Sequence, residues 1–164
     1  MLYMHLLTKE GCAKLKESLL ELQTRRPIVV QAIQEAKQQG DLSENAGYHI
    51  SKADLRNIDS RISEISQILQ AYPVVSHATK EDKVNFGMYV KVLELNQNKE
   101  RIFRIVNEHE LRFLEETNVE LLTSKSLVAK ALIGRGLTEE VVIETHAGTR
   151  EYKILNLSAT LADL

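Results

Sequence analysis

The chain has 164 residues, 43% of them apolar and 27% charged, with 2 Pro, 7 Gly and a formal net charge of -2. That balance belongs to an ordinary globular protein of one full domain or two small ones, and it excludes collagen, a disordered chain and a disulfide scaffold. Charge is even along the chain, with 9 basic and 9 acidic residues through Tyr72 and 12 and 14 beyond it, so neither half is a strongly basic platform for nucleic acid.

The opening Met1-Leu2-Tyr3-Met4-His5 has no basic n-region, and no apolar stretch nears the roughly 18 to 20 residues of a membrane span. Cys12 stands alone, which rules out an internal disulfide or a multi-Cys zinc site in one chain. A cytoplasmic protein without membrane association is expected. From Thr8 to Gln39 the residues favour helix, with Thr8 as N-cap candidate. Leu15, Leu19, Leu22, Arg26, Val29, Ile33 and Ala36 follow at alternating steps of four and three, the seam of a coiled coil. Pro27 lies inside it, where it removes a backbone donor and is expected to bend or loosen the helix. Arg26 in the seam is expected to pack its stem and reach water with its head.

After Gly40-Asp41 a second helix is predicted, with Ala46, Ile50 and Ala53 near its start and Leu55, Ile58, Ile62, Ile65, Leu69 and Tyr72 further on, the phase shifting between Ala53 and Leu55. A reversal at Gly40-Asp41 sets Leu22 near Ile62, Leu19 near Ile65 and Ile33 near Ile50, an antiparallel helical hairpin. Each arm of about 30 residues rises about 45 Å, longer than a domain of this size needs for its own core. Pro73 and the polar run from Ser76 to Lys83 mark a boundary. Beyond it the period is two: Tyr89 to Leu95, Arg101 to Val106, Val141 to Glu144 and Tyr152 to Leu157 read as strands, with turns at Asn96-Gln97-Asn98 and Ala147-Gly148-Thr149. Ser126 to Ile133 reads as one short helix stopped by Gly134. The expected fold is therefore α+β: a long antiparallel coiled-coil hairpin over residues 1-74, a linker at 75-84, and a small α+β domain over 85-164.

The densest chemistry lies at the turn, in Gly40-Asp41-Leu42-Ser43-Glu44-Asn45-Ala46-Gly47-Tyr48-His49. Asp41 and Glu44 are paired hard oxygen donors of the kind Mg²⁺ takes, completing its shell with water or phosphate. The same pattern also serves structure, since Gly40 suits the end of the first helix and Asp41-x-x-Glu44 is a capping box for the second. Lys37 and Lys52 flank the turn and could meet phosphates or simply be solvated; Arg56 and Arg61, further back, read as solvated. His49 lies five residues from Glu44, off the three-or-four spacing of a ligand pair, and His5, His49, His77, His109 and His146 are taken as surface or packing residues.

The string from Gly40 to Ala46, with Tyr48, resembles the coiled-coil tip of the bacterial Gre transcript cleavage factors. The resemblance extends through Leu7-Thr8-Lys9-Glu10-Gly11, Arg25-Arg26-Pro27, Leu55-Arg56-Asn57-Ile58-Asp59-Ser60-Arg61, Phe103-Arg104-Ile105-Val106 and Ala129-Lys130-Ala131-Leu132-Ile133-Gly134, nearly the whole chain. It implies a C-terminal domain similar to FKBP folds, which docks on RNA polymerase at the rim of the secondary channel while the coiled coil passes down it. Asp41 and Glu44 would then support, in trans, the second Mg²⁺ of the polymerase active site, with no metal or cofactor of the protein's own, so that the polymerase hydrolyses backtracked nascent RNA. Lys37 and Lys52 match a basic spot, and Asn45 and Tyr48 match tip positions that place the carboxylates or touch the polymerase. The protein would not itself be an enzyme, and a monomer is expected. The alternative is a secondary-channel binder that regulates or inhibits polymerase without cleavage. An FKBP-like prolyl isomerase is disfavoured, the C-terminal half having no Trp and few aromatics. Two departures stand out: Gly47 where an acidic residue is common, and Lys125-Ser126-Leu127 in place of an acidic or amide residue, Ser and Pro on the docking surface.

Overall fold

The computed structural model describes residues 6-38, 46-75, 82-146 and 148-164. The chain divides into two compact units, one of Ala13–Ala71 and the other taking in the chain up to Cys12 and Tyr72–Leu164.

The Ala13–Ala71 unit is a pair of long helices, α1 (Lys9–Gln38, whose first turn belongs to the other unit) and α2 (Ala46–Ala71). Val29, Ile33 and Ile58 are buried between them, with Leu22, Tyr48, Leu55 and Ile62 packed around. Each such side chain removed from water is worth about 1.5 to 3 kcal/mol. Arg25 Nη2 donates to Asp54 at 2.7 Å and Arg26 Nε to Asp59 at 2.7 Å, across the hairpin. Arg26 thus keeps its head at the surface, 47% exposed, and such pairs contribute no more than about 1 kcal/mol each. α1 runs unbroken through Pro27, which is exposed.

The seam of α2 differs from the expected one. Ile50 is 69% exposed and Ala53 is exposed, whereas Tyr48 is half-buried in the cluster. Tyr48, Leu55 and Ile62 stand seven apart, as do Ile58 and Ile65, so the seam that Tyr48 begins continues in one register through Ile65, beyond which Ile68 is the buried residue. Apolar content misplaces the first turns because a tyrosine holds the seam there and an isoleucine faces water.

The second unit is built on a curled five-stranded sheet of order β3-β2-β1-β5-β4. Its strands are β1 (Tyr89–Glu94), β2 (Lys99–Val106), β3 (Glu120–Thr123), β4 (Glu140–Thr145) and β5 (Gly148–Ser158). All neighbours are antiparallel except β2 and β3, which run parallel with Phe103 level with Glu120. Alternate residues Val90, Val92, Phe103, Ile105, Val141, Ile143, Tyr152 and Ile154 form the buried face. Across it lies α3 (Leu127–Leu132), burying Ala129 and Leu132 completely and ending before Gly134 at φ +82°. The α+β architecture is as expected. β3 is an addition, four residues with one side chain, Leu122, in the core.

Candidate functional site

The residues on which the acidic tip rests, Asp41, Glu44 and Asn45, lie outside the described residues. In sequence they fall between Gln38, the last residue of α1, and Ala46, the first of α2. Their described flanks are informative. Lys37 is exposed in the last turn of α1, where a cation also complements the helix dipole. Tyr48 is held in the seam, its ring edge-to-face with His49 at 5.5 Å. Lys52, one turn on, holds its ammonium 5.3 Å from the centre of the Tyr48 ring. Tyr48 and Lys52 therefore stand together at the start of α2, and Lys37 stands at the end of α1. His49 and His146 are exposed, and His109 packs its ring edge-on against Tyr72 at 5.3 Å. Among the described residues no three His, Cys, Asp or Glu side chains gather as a metal site.

The Lys125-Ser126-Leu127 segment sits at the start of α3. Ser126 is the N-cap and its N–H donates to Thr123 O at 2.9 Å. Leu127 is the first helical residue and 57% exposed. Lys125 forms an exposed ion pair with Glu108, whose carboxyl is held below its ordinary range by that hydrogen bond and charge. Leu127 and the Lys125–Glu108 pair are thus both open to solvent. Glu108 escaped the sequence reading because its partner is 17 positions away, with no local pattern joining them.

A buried polar network was also invisible in the sequence, although two motifs of the resemblance run through it. Glu110 is fully buried; its Oε1 accepts from the Thr8 N–H and the Thr8 hydroxyl, both at 2.7 Å, and its Oε2 from the Asn107 N–H at 2.8 Å. Burial raises the Glu110 carboxyl above its ordinary value, against the pull of these three bonds. Arg104, its side chain 3% exposed, is held between Glu116 and Glu10, with Nη2 2.7 Å from the Glu10 carboxylate, and its guanidinium lies 4.5 Å from the Tyr89 ring centre. Burial pushes the Tyr89 hydroxyl up to about 12, the nearby Arg104 charge notwithstanding. Thr8, Glu10, Gly87 and Arg104 border a cavity of ≈ 270 Å³. Arg104 meets carboxylates on both sides, with Glu116 Oε2 left buried and without a hydrogen-bond partner, so the arrangement is an ion-pair cluster that ties Glu10 in the first turn of α1 to β2.

Residues 5–74 match the family described as "Transcription elongation factor, N-terminal", and residues 78–159 match "Transcription elongation factor, GreA/GreB, C-term". The transcription elongation factor GreA of Ruegeria pomeroyi is 34% identical over 154 residues, covering 92% of this chain and 95% of the relative. That of Lachnoclostridium phytofermentans is 37% identical over 155 residues, 93% of this chain and 94% of the relative. The crystal structure of GreA factor homolog 1 (Gfh1) protein of Thermus thermophilus aligns over 92% of this chain and 96% of its own, at 22% identity and a TM-score of 0.41, too low to carry weight.

Proposed function

The chain belongs to the GreA/GreB transcription elongation factor family, and on that premise we propose that it binds RNA polymerase, extends its helical hairpin into the secondary channel and stimulates cleavage of backtracked nascent RNA by the polymerase. The carrying observation is the string Gly40-Asp41-Leu42-Ser43-Glu44-Asn45 placed between the ends of two helices of 30 and 26 residues. At 1.5 Å per residue these rise about 45 and 39 Å, the reach of a probe.

In this reading Asp41 and Glu44 offer anionic oxygen to a Mg²⁺ of the polymerase, and the donor chemistry fits, because that ion takes one or two protein carboxylates beside water and phosphate oxygens. The ion supplies charge stabilisation and water activation when bound. The chain's own contribution is placement. Tyr48, packed in the seam, fixes the first turn of α2 next to Asn45, and Lys37 and Lys52 bring positive charge to both helix ends for the displaced RNA. Leu127, with the Lys125–Glu108 pair beside it, is the docking surface on the C-terminal unit. The factor carries no cofactor of its own and acts as a monomer.

The test is to add the purified chain to a stalled, backtracked elongation complex of its own polymerase. Shortened transcripts that the polymerase then extends are expected. Intact transcripts with inhibited extension would replace this reading with channel occupancy without cleavage.

A further inference from the structure

A capping box closes a helix start reciprocally: the N-cap Ser or Thr oxygen accepts from the backbone N–H three residues on, and the Glu or Gln at that third position reaches back to the N-cap N–H. α1 has the first half of this device. Thr8 precedes Lys9, the first helical residue, and its hydroxyl oxygen accepts from the Gly11 N–H at 3.0 Å while its carbonyl accepts from the Cys12 N–H at 2.9 Å. The second half is impossible locally, because Gly11 has no side chain.

We infer that Glu110 is the missing carboxylate of this capping box, delivered to the N-cap of α1 from 102 residues away. Its Oε1 accepts the Thr8 N–H at 2.7 Å, the bond that a glutamate at position 11 would make. The same oxygen accepts the Thr8 hydroxyl proton, orienting that oxygen's lone pair toward Gly11. Gly11 is the complementary half of the arrangement. A Cβ there would lie 1.7 Å from Glu110 Oε1, 2.4 Å from Cδ and 2.6 Å from Cγ, so the space of the absent side chain is filled by the distant one. Gly11 is helical, with φ outside the left-handed region, so it is retained for this close approach and not for a backbone conformation. A negative charge at the first turn is also favoured by the helix dipole. The first turn of the long arm is therefore set by the Asn107 to Glu110 turn of the C-terminal half, and Glu110 is a positioning residue that acts through Thr8.

The experiment is a substitution cycle in the full chain, read by denaturant unfolding and by hydrogen exchange at the Thr8 amide. Gly11→Ala, which ordinarily stabilises a helix interior, should here lower the folding constant at least tenfold. In a Glu110→Ala background the space is vacant, and Gly11→Ala should raise it instead. Gly11→Gln in that background should raise it about fivefold beyond Gly11→Ala, the size of an ordinary N-cap contribution, and should slow Thr8 exchange again. The amide of Gln is uncharged, so the gain would not come from the dipole, and the lost Asn107 bond is common to both arms. Gln no better than Ala, with the Thr8 amide exchanging as fast as in Glu110→Ala, would overturn the inference. Should the Glu110→Ala chains not fold, the parent decides: Thr8 and Asn107 amides, both bonded to Glu110, should show equal protection, and an unprotected Thr8 amide is the contrary result. None of these readouts involves polymerase, so the outcome is independent of the cleavage reading.

Discussion

Cutting the chain at the change of period near Pro73 should not yield a stable C-terminal unit, because that unit includes residues 6-12. Leu7 is fully buried, its N–H donates to Pro73 O at 2.9 Å, and its carbonyl accepts from the Val75 N–H at 2.8 Å. Removing it forfeits about 1.5 to 3 kcal/mol of burial and about 1 kcal/mol for each hydrogen bond. Loss of Thr8 strips two donors from Glu110, and leaving a buried carboxylate oxygen unsatisfied costs about 1 to 3 kcal/mol or more. The total is on the order of 5 to 8 kcal/mol, comparable with the whole stability of a small domain, about 5 to 15 kcal/mol. Two chains compare this directly: Tyr72–Leu164 alone, and a fusion in which a flexible Gly/Ser linker of about ten residues replaces Ala13–Ala71 and retains the start of the chain. Followed by circular dichroism on heating, the fusion should melt cooperatively and the bare segment should show no cooperative transition or a midpoint lower by tens of degrees. Equal midpoints would refute the reasoning. Polymerase docking by the C-terminal unit should accordingly be assayed with the fusion.

In the hairpin, Tyr48→Ala should cost about 1.5 to 2.5 kcal/mol of unfolding free energy, half the usual penalty for a fully buried aromatic, while Ile50→Ser stays within about 0.5 kcal/mol; the reverse order would mean that Ile50 and not Tyr48 lies in the seam. Leu127→Pro places proline at the first helical position of α3, where its missing N–H costs nothing, so melting should shift little; combined with Lys125→Asp it should tighten polymerase binding, and an unchanged or weaker affinity would exclude these residues as the contact. Burial works to raise the Glu10 carboxyl, but a backbone N–H and Arg104 outweigh it and the net shift is downward. Its contribution to stability is thus present above the ordinary value of 4.5 and lost as pH falls below it, so Glu10→Gln should make the acid limb of a stability profile shallower, and an unaltered limb would contradict the pairing.

What could be read from sequence follows the range of the interactions. The helices and four of the strands follow local periodicity, and Gly134 and Asn98, at φ +82° and +50°, stand where a helix stop and a hairpin turn were expected. β3 escaped because four residues pairing in parallel with β2 need bury only Leu122, too little for a visible alternation. The phase at the start of α2 is not legible locally because Ile50 and Ala53 are apolar yet exposed, and the neighbouring helix that seats Tyr48 is not part of a local pattern. The tip motif was legible as a string of residue types. Glu108 and Glu110 were not, since each meets its partner, Lys125 or Thr8, only through the tertiary fold.

The proposed function requires Asp41 and Glu44 to act by charge and not by capping alone. Asn caps a helix about as well as Asp, and Gln can replace Glu in a capping box, so Asp41→Asn and Glu44→Gln should leave helix content and melting temperature nearly unchanged. A neutral amide is a much poorer Mg²⁺ ligand than a carboxylate. Each variant, added to the backtracked complex, should therefore lose stimulated transcript cleavage by orders of magnitude and regain part of it at raised Mg²⁺. Its competition for the polymerase channel should persist. Cleavage at the parent rate by both amide variants would make the two residues helix caps and contradict the proposed function.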